Sequence, residues 1–301
     1  MMTGVIDIGS NTVRLAVYEV KDGVPKELFN KKVNAELANY IDDGKLTQKG
    51  MKKAAATLSD LLHVAQSIGL KKVYPFATAS LRNVKNSKEA QAFIEEKCGV
   101  SLRILSGEEE AEMDYLGAIK EHPSENGIIC DVGGGSTEIA FFQNNALTYA
   151  SSFPIGSLNL FRNHVKDILP TMEEVYEIRA DIVNVLRNVK IPEALKTGTI
   201  SSVGGSARAI KKILEDYDSD SVHGSTVPLS SLEEYLMQYL RDPEAQAKEI
   251  LSVVPDRIHT VIPGMLIHEM VALKAGAKNL LICSSGVREG YIHMVLEGKI
   301  K

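Results

Sequence analysis

Cys130-Asp131-Val132-Gly133-Gly134-Gly135-Ser136-Thr137-Glu138 is the stretch from which the rest of the chain is read. Ile128, Ile129 and Val132 form an apolar run ending at Asp131, and residues 139–142 form a second run returning from Glu138. The turn between them carries almost no side chains, so its amide N–H groups can approach an anion, and glycine tolerates the backbone angles of a tight phosphate loop. A carboxylate at the strand end would repel a bare phosphate, so Asp131 implies a divalent cation between the two, most simply Mg²⁺. A glycine-rich hairpin with no ligand is the alternative for this stretch taken alone.

An echo near the N-terminus favours the phosphate reading. Asp7-Ile8-Gly9-Ser10-Asn11-Thr12-Val13-Arg14-Leu15-Ala16-Val17 repeats the order of residue types, pairing Asp7 with Asp131, Gly9 with Gly133 and Leu15 with Ile139. Two such hairpins predict duplicated domains, each contributing one loop and one carboxylate to a phosphate site.

At 301 residues, 44% apolar and 24% charged, the chain can bury the cores of two domains. No apolar run approaches the ~18 residues of a membrane span, and no basic n-region precedes the first strand, so a cytoplasmic protein without membrane contact is expected. Cys98, Cys130 and Cys283 are odd in number and widely spaced, which argues against disulfides and zinc. A net charge of −5 and a pI near 5.9 argue against a general nucleic-acid binder.

Taken in order, the first hairpin is followed by an Asp22-Gly23 turn and a third strand. A helix between Leu46 and Gly69 is capped by Thr47, and a strand over 73–77 leads into Thr78-Ala79-Ser80-Leu81-Arg82. Ser106-Gly107-Glu108-Glu109-Glu110-Ala111 opens another helix. Acidic residues in a first turn are ordinary dipole partners, so these glutamates need no functional explanation by themselves. Pro123 to Gly127 breaks the pattern ahead of the second hairpin and is the expected domain boundary. Beyond it come a Thr171/Glu174 capping box, a strand running into Gly204-Gly205-Ser206 at a helix start, a helix from Ile258 to Ala275 bent at Pro263-Gly264, and a closing helix from Gly286.

With these pieces in place the chain resembles the exopolyphosphatase and guanosine pentaphosphate phosphohydrolase family of the actin-like ATPase superfamily. The motifs that carry the resemblance are residues 7–11, 77–82, 106–111, 131–138, 154–157 and 286–290. It implies an α/β chain of two ribonuclease-H-like (actin-like) domains, each a mixed five-stranded sheet with flanking helices, with the active site in the interdomain cleft. The domains would be 1–124 and 125–286, with the helix 287–301 packing back on the first. By the same resemblance Glu110 matches the catalytic glutamate, Arg82 the arginine facing phosphate, Asp131 the metal-associated aspartate and Glu138 the carboxylate near the attacking water. Ser10, Asn11, Thr12, Gly133, Gly134, Gly135, Ser136, Thr137, Gly204, Gly205 and Ser206 match phosphate-loop positions, and Asp7, Asp131 and Glu138 would hold Mg²⁺ or another divalent cation. A homodimer is expected. The longer family members add a C-terminal helical region beyond the part matched here.

The chemistry implied is release of orthophosphate from inorganic polyphosphate by direct water attack, with guanosine pentaphosphate as the alternative substrate. Amide loops, Mg²⁺ and Arg82 would neutralise the polyanion, and Glu110 or Glu138 would take a proton from the water. No histidine sits near a motif to activate Ser10, Ser136 or Ser206 as nucleophiles. A small-molecule kinase would need an acceptor pocket rather than these water-directing glutamates, and an actin-like assembly module would need an extra peptide-binding domain or an exposed apolar insertion.

Overall fold

The computed structural model describes residues 2–21, 23–196, 198–220 and 222–300. Asp22, half of the expected Asp22-Gly23 turn, lies outside the described residues, as does Lys301 of the closing segment. The chain packs as two compact units, Met1–Glu110 with Arg288–Lys301, and Ala111–Val287.

In the first unit, β1 (Met2–Ile8), β2 (Thr12–Lys21) and β3 (Val24–Asn34) make an antiparallel meander. After the small hairpin β4 (Ile41–Asp42) and β5 (Lys45–Leu46) and the helix α1 (Gln48–Ser67), β6 (Val73–Ala77) joins β1 in parallel. The short helix α2 (Ala79–Arg82) and α3 (Ser87–Cys98) lead to β7 (Arg103–Ile104), giving the sheet order β3-β2-β1-β6-β7. Alternation sends Ile6, Ile8, Val13, Leu15 and Val17 to one face, where they meet Met51, Leu58 and Leu61 of α1 and Ile94 of α3. Thr47 caps α1 as expected, accepting from the Gly50 amide.

The helix α4 (Gly107–Ala118) carries the chain from one unit to the other. Its later residues Tyr115 and Ala118 belong to a core with Ile129, Ala140 and Phe142.

In the second unit β8 (Gly127–Val132), β9 (Thr137–Gln143) and β10 (Ala146–Phe153) repeat the meander. The helices α5 (Ser157–His164) and α6 (Met172–Leu186) precede β11 (Thr199–Val203) and α7 (Gly204–Tyr217). Then come β12 (Thr226–Pro228), α8 (Leu229–Arg241), α9 (Pro243–Val253), α10 (Val261–Ala275) and β13 (Asn279–Ile282), and from Arg288 on the last helix, α11 (Val287–Leu296), belongs to the first unit. The order β10-β9-β8-β11-β13-β12 contains the same arrangement as the first sheet, with β8, β11 and β13 parallel. Both sheets thus have the ribonuclease-H-like (actin-like) topology. The second has six strands rather than five, because β12 pairs antiparallel on the outside of β13. It is three residues long and ends in proline, an edge position where the missing N–H is harmless, and so short a strand leaves no periodic signal.

One expectation fails in α10. The helix starts at Val261, so Pro263 lies in its first turn, where an N–H has no intrahelical partner anyway, and it produces no break. α10 is buried almost all round, including His268 and Glu269, and packs against α6, α7, α5 and α8.

Candidate active site

The loop Gly133–Ser136 is the best-defined anion cradle in the second unit. Its turn is closed by the Gly133 amide donating to the Ser136 carbonyl at 2.9 Å. The Gly133 carbonyl accepts from the Ser157 amide at 2.9 Å, the Gly134 carbonyl from Leu158 and Asn159 at 3.0 and 3.1 Å, and the Gly135 carbonyl from Asn159 Nδ2 at 2.9 Å. None of the peptide bonds in the described chain is cis, so each carbonyl points opposite the N–H of the same peptide plane. With three successive carbonyls turned onto the start of α5, the amides of Gly134, Gly135 and Ser136 point together away from it. Such a run of N–H groups is an anion nest. Gly156 makes this possible: a Cβ there would lie 2.5 Å from the Gly134 backbone, which explains the Pro154-Ile155-Gly156-Ser157 motif.

Asp131 and Glu138 are direct partners across the β8–β9 ladder, so their side chains share a face at cross-strand distance. Glu138 is 2% exposed, and its Oε1 accepts hydrogen bonds from Ser136 Oγ at 2.7 Å and Ser152 Oγ at 2.6 Å. Two carboxylates so opposed repel. Burial pushes the neighbouring Cys130 thiol well up, and the charges of Asp131, Glu138 and Asp114 push it further, which places Asp114 in the same acidic surroundings. Asp114 is 1% exposed and lies one helical turn beyond Glu110 on α4.

At the start of α7, Gly204 has φ +87°, and a Cβ on it would lie 2.1 Å from Asp131 Oδ1. Only glycine admits the carboxylate so close to the helix N-terminus. The Arg257 guanidinium lies over Gly205, whose Cβ would meet Nη2 at 2.1 Å. Burial and the nearby Arg208 pull the Arg257 guanidinium below its ordinary value, against the attraction of Asp256 and Asp131. A half-buried cation beside Asp131 and the α7 N-terminus is equipped to meet a polyanion. Ser206 Oγ faces Gly264 of α10, where a Cβ would come within 2.6 Å of it, so this hydroxyl is packed inward.

The Asp7 loop repeats the turn, with the Gly9 amide donating to the Thr12 carbonyl at 3.0 Å. The Asn11 carbonyl accepts from the Ala35 and Glu36 amides, which directs the Thr12 amide the opposite way. Electrostatically the two copies differ: Arg14, not an acid, is the register partner of Asp7. The first copy is therefore internally compensated and the second is not.

Also in the first unit, Arg82 Nη1 donates to Glu110 Oε2 at 2.6 Å and to the Leu105 carbonyl at 3.2 Å. The three consecutive glutamates are sorted by the helix. Glu108 is exposed. Glu109 accepts from the Ser106 amide and receives Ser106 Oγ at its own amide, a capping box, and pairs with Arg103. Glu110 alone turns inward, 7% exposed. All three lie in the first turn of α4, and Glu110 alone is also buried against Arg82.

A hard dication fits Asp131 and Glu138, because it would relieve their repulsion, and Mg²⁺ takes one or two protein carboxylates with water and phosphate oxygens. Among the described residues no group of three or more His, Cys, Asp or Glu side chains is arranged to hold a metal ion. Sequence reasoning missed Asp114, Ser152, Asn159 and Arg257. Asp114 could have been found from its spacing of four from Glu110 on a helix. Arg257 follows Pro255-Asp256 in no recognisable pattern and reaches Gly205 only through the packing of the second unit.

The Ppx/GppA phosphatase family model matches residues 16–298. Exopolyphosphatase 1 of Mycobacterium tuberculosis is 26% identical over 309 residues, covering 99% of this chain and 89% of that protein. A solved Aquifex aeolicus PPX-GPPA enzyme is 26% identical with a TM-score of 0.77, over 97% of this chain and 99% of that one. An exopolyphosphatase from Cytophaga hutchinsonii shares the fold at a TM-score of 0.85 and 20% identity, over 99% and 98% of the two chains. No helix among the described residues is long and apolar enough to cross a membrane.

Proposed function

The chain belongs to the Ppx/GppA phosphatase family, and we propose that it acts as an exopolyphosphatase, hydrolysing the terminal phosphoanhydride of inorganic polyphosphate by direct attack of water. The observation that carries this reading is the second-unit cradle, in which three amides converge beside two opposed carboxylates and a half-buried arginine. Such a site suits a phosphate chain with a hard dication.

The Gly134, Gly135 and Ser136 amides bind oxygens of the terminal phosphate, and in the first unit Ser10, Asn11 and Thr12 form the matching loop. Asp131 and Glu138 would hold the divalent cation, with Asp7 as the acidic group of the first loop. When bound, the ion withdraws charge from the phosphoryl oxygens. Arg257 and Arg82 counter the negative charge of the chain. Glu110 orients the water and accepts its proton, a contribution of ~10²–10⁴ in rate for a well-placed base. Glu138, the ladder partner of Asp131 and held by two hydroxyls at its Oε1, is assigned to the ion and leaves the base role to Glu110. The electrostatic clamp is the larger contribution, as in phosphoryl transfer generally.

A phosphate-release screen with Mg²⁺ across polyphosphates of several lengths, guanosine pentaphosphate and ATP tests this. Orthophosphate from polyphosphate at the highest kcat/KM is expected. Release from guanosine pentaphosphate alone would move the substrate to that nucleotide, and turnover of ATP alone would overturn the reading.

A further inference from the structure

The carbonyls of Gly133, Gly134 and Gly135 are not held alike. The Gly133 carbonyl accepts from the Ser157 amide at 2.9 Å and from Ser157 Oγ at 3.2 Å, and the Gly134 carbonyl accepts from the Leu158 and Asn159 amides at 3.0 and 3.1 Å. Any residue except proline supplies a backbone N–H, so these two carbonyls stay anchored whatever side chains stand on α5. The Gly135 carbonyl is different: it accepts from Asn159 Nδ2 at 2.9 Å, and among the described residues no backbone amide donates to it.

That carbonyl shares a trans peptide plane with the Ser136 amide, so the direction of the Ser136 N–H follows from where the Gly135 carbonyl points. Gly135 has no Cβ to confine its backbone, and the plane after it turns readily once the carbonyl is released. The Ser136 side chain is already engaged, its Oγ donating to Glu138 Oε1 at 2.7 Å. Asn159 is well placed to hold the plane: it stands in the first turn of α5, half-buried, with its own amide tied to the Gly134 carbonyl. An aspartate at this position would keep the shape and lose the donor.

We propose that Asn159 is the positioning residue for the Ser136 amide: by drawing the Gly135 carbonyl onto α5 it turns the third N–H of the loop toward the terminal phosphate. The backbone of α5 secures the other two donors, those of Gly134 and Gly135, and the Asn159 side chain completes the nest. Asn159 touches no reacting atom in this role and acts only through the peptide plane. This rests on the reading that the loop binds the terminal phosphate of the substrate.

The experiment follows backbone amide resonances by NMR as inorganic phosphate and Mg²⁺ are added to wild type, Asn159→Asp and Asn159→Ala, with steady-state phosphate release from polyphosphate measured in parallel. In the wild type the Gly134, Gly135 and Ser136 amides should all shift. In both variants Gly134 and Gly135 should still respond, while the Ser136 response falls below half. Losing one such donor outright costs ~10²–10³ in kcat, and a plane that still samples the bound orientation loses less, so kcat should fall about 10-fold with KM within about three-fold. A Ser136 response equal to that of the wild type, loss of all three responses together, or a kcat within about two-fold of wild type overturns the proposal. Should Asn159→Asp not fold, Asn159→Ala, smaller and uncharged, carries the same comparison. A wild type in which none of the three amides responds refutes the loop reading itself, and the proposal falls with it; equal responses in the wild type and both variants overturn the proposal alone. The amide readout needs no turnover, so it decides the proposal whichever substrate the enzyme prefers.

Discussion

Asp131→Asn should stabilise the metal-free protein while removing its activity. Asp131 and Glu138 are ladder partners, and their carboxylates lie roughly 5 Å apart at cross-strand distance. At an effective dielectric of about 20, two like charges at that separation repel by about 3 kcal/mol. The Arg257 guanidinium near Asp131 and the two hydroxyls on Glu138 offset part of this. Both hydroxyls stay on Glu138 in the variant, so only the lost Arg257 contact counts against the gain, at about 1.5 kcal/mol for a charged partner, and roughly 1–2 kcal/mol of repulsion is relieved. Removing one charge therefore raises the midpoint of thermal unfolding in EDTA by about 2–8 °C, at about 2–4 °C per kcal/mol for a unit of this size. Mg²⁺ should reverse the order. At a hundred times its dissociation constant it adds about 2.7 kcal/mol to the wild type, and much less to the variant. Scanning calorimetry with EDTA and with excess Mg²⁺ reads both effects, and a parallel phosphate assay should show wild-type release abolished by EDTA and restored by Mg²⁺. If Asp131→Asn melts at or below the wild type in EDTA, or gains as much from Mg²⁺, the ladder pair is not the metal site.

Two further outcomes follow from buried groups. Glu110→Gln keeps an acceptor for Arg82 Nη1 but removes the proposed base, so phosphate release should fall about 10²-fold or more with the fold intact by circular dichroism; activity within a few-fold of wild type would exclude Glu110 as base. His268 is fully buried, without hydrogen bonds to either ring nitrogen among the described residues, and burial pulls its value from 6.5 down to about 3. The unfolded chain binds the proton first, so stability is fully present above pH 6.5 and is lost as pH falls toward 3, by about 2 kcal/mol at pH 5. His268→Leu should flatten that loss in a pH series of denaturant titrations, and an unchanged slope would count against it.

The sequence by itself determined the duplicated hairpins, because an acidic strand end, a small-residue turn and a returning apolar strand are local patterns whose period and punctuation need no partner. It also determined Thr47 and Thr171 as helix caps, where the hydrogen bonds run within three residues. Among Glu108, Glu109 and Glu110 it could not choose from spacing, since all three suit a first helical turn. Tertiary packing chose, by turning Glu110 onto Arg82 from a segment far away in the chain. The same holds for Arg257, which reaches Gly205 only when the turn at Pro255 and the helices of the second unit pack together, and for the last helix, which lies on the Asp7 face only because it covers the first sheet. The register of the hairpins was the subtlest of these decisions. Asp7 and Asp131 align in sequence, yet Arg14 stands opposite one and Glu138 opposite the other. Local patterning records which residues can line a strand, whereas the charge that each one meets is a property of the strand beside it.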